Sequence, residues 1–99
     1  MGAMPGEVES VISELPMVEN VKVIGVPNDF YGEEVGACLI LKEGYTFDEQ
    51  SMKKAIEKKL ARFKAPSRYI IYDRFPTLGT GKIDVVTLRK DAITRISEG

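Results

Sequence analysis

The residues best placed to do chemistry lie in the segment Phe75-Pro76-Thr77-Leu78-Gly79-Thr80-Gly81-Lys82-Ile83, near the end of a 99-residue chain. Pro76 fixes the chain direction, and Gly79 and Gly81 permit backbone angles that other residues avoid. A lysine on such a loop projects a compact, mobile positive charge, which suits a phosphate or a carboxylate. A turn that merely ends in a solvated lysine has the same appearance. A Walker phosphate loop is excluded. It needs glycine six positions before its lysine and Ser or Thr directly after it, where this chain has Pro76 and Ile83.

A second candidate group surrounds Phe63. Lys53, Lys54, Lys58, Lys59, Arg62, Lys64 and Arg68 fall within sixteen residues, with Glu57 the only acid among them. The lysines before Leu60 suit a solvated helix face. Phe63, set between Arg62 and Lys64, suits either stacking on a purine beside phosphates or a hydrophobic lid on a helix end.

Other chemistries are excluded by composition. There is no histidine, hence no His general base, Ser–His pair or His-ligated metal. The single Cys38 precludes an internal disulfide or a CxxC site, fits a reducing compartment, and lies in an apolar run that favours burial. No metal site is expected within the chain. The net charge of −1 provides no global attraction to nucleic acid or to an anionic membrane. No signal peptide or long apolar span is present, so a cytoplasmic location is expected.

The elements that must position these groups follow from periodicity. Pro5 opens a helix with Val8, Val11, Ile12 and Leu15 inward, and Pro16 ends it. Strands are expected over about 21–26, stopped by Pro27, over 35–41, central and covered on both faces, and over 68–72. Asn28 to Glu34 forms a polar turn with adjacent aromatics. Thr46 with Glu49 resembles a capping box before a helix that buries Met52, Ala55, Ile56 and Leu60. Asp84 caps a last helix with Leu88, Ala92 and Ile96 inward. The expected fold is α+β: a small mixed three-stranded sheet flanked by three helices, in the order αββαβα. Residues 1–4 read as an expression scar before one domain, 5–99.

Three blocks together resemble a known family: Val23-Ile24-Gly25-Val26-Pro27-Asn28-Asp29-Phe30-Tyr31-Gly32-Glu33, Arg62-Phe63-Lys64-Ala65-Pro66, and Phe75 to Ile83. Their order and spacing are similar to those of the C-terminal domain of adenylate-forming enzymes, a superfamily that includes acyl-CoA synthetases, peptide-synthetase adenylation domains and beetle luciferases. The resemblance implies a mobile lid, inactive alone, whose partner is an N-terminal domain that binds ATP, Mg²⁺ and the carboxylic acid. It implies that Lys82 contacts the carboxylate and α-phosphate during adenylation, on a loop shaped by Gly79 and Gly81. It also implies rotation to a second face, where Tyr31 lines the pantetheine channel and Phe63 and Lys64 meet the nucleotide of coenzyme A.

Two positions depart from the pattern. Ala65 stands where some CoA ligases have arginine, leaving Lys64 or Arg68 to supply that phosphate contact, and Asp84 stands where many members are basic or polar. The stretch from Tyr31 to Ala37 is most similar to bacterial medium- or long-chain fatty acyl-CoA ligases. Two other readings are an adenylation domain serving a carrier-protein phosphopantetheine arm and a small RNA-binding module. The latter fits poorly, because neither βαββαβ order nor a GxxG clamp is present.

Overall fold

The computed structural model describes residues 5–28, 30, 32–59 and 66–98. Leu60 of the expected helix stripe, Tyr31, and the segment containing Phe63, Lys64 and Ala65 lie outside the described residues, as do residues 1–4. The element order is α1 (Pro5–Ser13), β1 (Val18–Asn28), β2 (Gly32–Leu41), α2 (Glu49–Lys59), β3 (Arg68–Ile71) and α3 (Val85–Glu98). The fold is thus α+β in the expected order αββαβα.

The strands run β1-β2-β3, with β1 antiparallel and β3 parallel to β2. The central β2 buries four consecutive residues, from Gly36 to Leu39. Successive side chains point to opposite faces, so such a run requires cover on both sides. Ala37 and Leu39 pack with Val21 and Val23 beneath Val8 and Ile12 of α1, Leu15 just after it, and Met52 and Ile56 of α2. Cys38 faces the other way, joining Ile24, Val26, Ile70, Tyr72 and Phe75 beneath Leu88 and Ala92 of α3. Burial pushes the Cys38 thiol up to about 12, as expected of a core residue rather than a nucleophile.

Two expectations require correction. Pro27 does not stop β1, which continues to Asn28, with Pro27 opposite Glu33. The reason is position. Val23 turns its N–H to the outer edge, where it donates to Glu9 Oε2 at 2.9 Å, and residue 27 shares that orientation by the two-residue alternation. Proline there forfeits no ladder bond. Nor is Thr46 the cap of α2: Asp48 is. Its Oδ1 accepts from Ser51 N–H at 3.3 Å and its Oδ2 from the Ser51 hydroxyl at 3.0 Å. Helix α2 therefore begins at Glu49, and the Glu49 expected as the third helical residue is the first.

Both sheet edges are covered by arginines of α3. Arg89 Nε donates to Gly25 O of β1 at 2.9 Å, and Arg95 donates to Ile71 O of β3 at 3.3 Å. Arg95 also lies 4.1 Å above the Tyr72 ring and pairs with Asp91 at 2.8 Å. The Tyr72 hydroxyl donates to the same carboxylate at 2.6 Å. These contacts fix the position of α3, and with it the loop that leads into the helix.

Candidate functional site: the Lys82 loop and the hairpin turn

The Lys82 loop begins and ends in the core. Phe75 is buried against Tyr72, their ring centroids 5.6 Å apart, and Ile83 packs against the α3 side of the sheet. Between these anchors the chain doubles back. Thr77 and Ile83 form an antiparallel bridge, and Asp84 N–H donates to Pro76 O at 2.8 Å. Leu78 N–H donates to Lys82 O at 2.7 Å, and Gly81 N–H to Leu78 O at 2.9 Å. This is a three-residue hairpin loop in which a turn is followed by one residue of left-handed backbone. That residue is Gly81, with φ of +89°. Gly79 has no positive φ, so of the two glycines only Gly81 is required by the backbone conformation.

Lys82 therefore leaves a closed, doubly anchored hairpin. It is exposed, and among the described residues its ammonium is in no ion pair. Residues 77–82 are all exposed, including Leu78 at 48%. Neither a groove of about 370 Å³ beside β3, lined by Ser67, Arg68, Arg95 and Ile96, nor one of about 410 Å³ near Tyr45 is lined by Lys82. Lys82 is thus a cation on an anchored, projecting loop that lies outside both of these grooves.

Tyr31, Phe63 and Lys64 fall outside the described residues; side chains of described residues on either side of Tyr31 make the following bonds. Asn28 Oδ1 accepts from Phe30 N–H at 2.8 Å, and Gly32 has φ of +79°. Together they make the tight β1–β2 turn that carries Phe30, 89% exposed. Glu34 then ties this turn to the start of β3: it accepts from Asn28 Nδ2 and from Arg68 Nε, each at 2.6 Å. The Arg68 bond, followed by that of Asn28, holds the Glu34 carboxyl below the usual carboxylate range. Sequence reasoning missed Glu34. The only signal available was an acid at the end of a turn, 34 residues before a basic strand start. The lysines of α2 are exposed, and Lys59 reaches Glu14 at 3.9 Å, in keeping with a solvated face.

Among the described residues, no three His, Cys, Asp or Glu side chains converge as a metal site would require. No described helix is long and apolar enough to cross a membrane.

Comparison with known proteins agrees with this picture. The profile of the AMP-binding enzyme C-terminal domain matches residues 7–82. An oxalate–CoA ligase of Arabidopsis thaliana is 40% identical over 79 residues, 80% of this chain and 15% of the relative. A mitochondrial medium-chain acyl-CoA ligase of Rattus norvegicus is 38% identical over 87 residues, 87% of this chain and 14% of the relative. The fatty acyl CoA synthetase of Mycobacterium tuberculosis superposes with a TM-score of 0.81 at 34% identity, covering 92% of this chain and 18% of that one. The chain spans 14% to 18% of the length of the curated relatives it matches. With its fold and a profile match across most of its length, the chain belongs to the C-terminal domain family of AMP-binding enzymes.

Proposed function

We propose that residues 5–99 are the mobile C-terminal lid of an ATP-dependent, AMP-forming acid–thiol ligase that acts on medium- or long-chain fatty acids. Lys82 is its adenylation lysine and coenzyme A its acceptor. The observation that carries this reading is the exposed Lys82, held on a closed hairpin and lining neither of the two grooves described above. In the first half-reaction a carboxylate oxygen attacks the α-phosphorus of ATP and pyrophosphate departs. Two anions must meet, and a preorganised cation lowers the barrier most where charge builds. In the second, the thiol attacks the acyl carbonyl and AMP departs. For this step the domain turns a different face to the active site, with Tyr31 along the pantetheine arm and Phe63 and Lys64 at the nucleotide. Gly79 and Gly81 keep the lysine loop slim enough to enter a cleft.

ATP, Mg²⁺ and the acid are bound by an N-terminal domain of the same polypeptide, and the isolated lid is inactive. The acid assignment draws on the Tyr31-to-Ala37 stretch and on the fatty acyl and medium-chain relatives. A cytoplasmic location is part of the same reading, supported by the free, buried Cys38. The test uses the full-length polypeptide with ATP, Mg²⁺, coenzyme A and a series of acids from oxalate to long-chain fatty acids. AMP and thioester formed in equal amounts, with the highest kcat/KM for a medium- or long-chain acid, support the assignment. A preference for a short dicarboxylate overturns the acid class. Transfer to a carrier protein but not to coenzyme A overturns the acceptor.

A further inference from the structure

Asp84 is the acid nearest to Lys82 in the sequence, two residues beyond it. A carboxylate free to move there could pair with the lysine and cancel the charge that the loop presents. The structure holds it elsewhere. Thr87 donates twice, from its N–H to Asp84 Oδ1 at 3.1 Å and from its hydroxyl to Asp84 Oδ2 at 2.7 Å. The backbone of Asp84 is engaged as well: its N–H donates to Pro76 O at 2.8 Å, and its carbonyl accepts from Leu88 N–H at 3.0 Å. Leu88 is fully buried beneath the sheet. One residue thus closes the hairpin, starts α3 and connects both to the core. The Thr87 bonds also hold the Asp84 carboxyl below the usual carboxylate range, so it remains the charged acceptor that a helix N-terminus favours.

We infer that Asp84, locked by Thr87, is a positioning residue for Lys82: it fixes the exit of the loop on α3 and keeps its own carboxylate from pairing with the lysine. The inference rests on the adenylation role proposed for Lys82. A helix cap of no functional consequence predicts different rates, so the two can be told apart.

The test measures acid-dependent ATP–pyrophosphate exchange, and thioester formation from supplied acyl-adenylate and coenzyme A, in the full-length enzyme and its Asp84→Ala, Asp84→Asn and Lys82→Ala variants. Asparagine caps a helix as well as aspartate, whereas alanine does not. Asp84→Ala is expected to lower kcat for exchange about five- to tenfold, since small displacements of a catalytic group are costly. KM for ATP and acid should move less than about twofold, and the thioester half-reaction should be spared. Asp84→Asn should restore exchange to within about twofold of the parent. Equal losses in both half-reactions for Asp84→Ala would show a role in folding only and overturn the inference. So would an unchanged exchange rate, or an asparagine variant as slow as the alanine one. If Lys82→Ala loses exchange while Asp84→Ala does not, only this inference fails. If Lys82→Ala itself keeps full exchange, the role of Lys82 fails and the positioning role with it.

Discussion

Replacing Gly81 by alanine tests whether the hairpin that carries Lys82 is built as described. Gly81 has φ of +89°, and a Cβ there would meet nothing within 4 Å, so the penalty is conformational and not a clash. Placing an L-residue in left-handed backbone costs about 1–2 kcal/mol. For a domain of this size that corresponds to a fall in melting midpoint of roughly 5–15 °C. Gly79 is the internal control. A Cβ at Gly79 also has open space, and no positive φ is required there, so Gly79→Ala should change stability by no more than about 0.5 kcal/mol. The assay is guanidinium and thermal unfolding of the 99-residue chain, with unchanged m-values as the check on two-state behaviour. Equal losses at the two glycines, or a stable Gly81→Ala variant, would refute the turn assignment and the argument that Lys82 is presented on a rigid hairpin.

Two further outcomes are expected. Burial raises the Cys38 thiol from its ordinary value of 9.0 to about 12, and Tyr69 also rises, from 10.0 to about 12, chiefly through burial. Both groups are ionised less readily in the fold than in the unfolded chain. The stability they contribute is therefore fully present below about pH 9 and is lost as pH rises through 9 towards 12. An alkaline titration of the unfolding midpoint should show this fall, weakened in Cys38→Ala, and a native thiol that reacts at the rate of a free cysteine near pH 8.5 would contradict it. In the full-length enzyme, Phe63→Ala should raise KM for coenzyme A about tenfold, from the loss of roughly 1–2 kcal/mol of stacking, with exchange intact. An equal fall in exchange would make Phe63 part of the packing.

What the sequence disclosed and what it hid divide along physical lines. Helical faces such as Val8 and Ile12, or Leu88 and Ala92, were legible because burial follows a 3.6-residue period that few other arrangements produce. The double cover of β2 was legible from its unbroken apolar run. The persistence of β1 through Pro27 was not, because it depends on which way one N–H points, and that is set by pairing with β2. The cap at Asp48 was hidden by Thr46, an equally good capping type two residues earlier, and only the path of the chain decides between them. For the candidate site, Lys82 and the Asp84 cap could be read from local spacing. The bonds from Glu34 to Arg68 and from Arg89 to Gly25 could not, since they join residues 34 and 64 positions apart.

The central claim is that Lys82 serves one half-reaction and is turned away in the other. The measurement that tests it most directly is the pair of rates in full-length Lys82→Ala. Removing a preorganised cation from the adenylation transition state costs about 3–4 kcal/mol, so acid-dependent ATP–pyrophosphate exchange should fall on the order of a hundredfold to a thousandfold. Thioester formation from supplied acyl-adenylate and coenzyme A should fall far less. Equal loss in the two half-reactions would mean that Lys82 supports the fold or both active states, and would contradict the two-face mechanism.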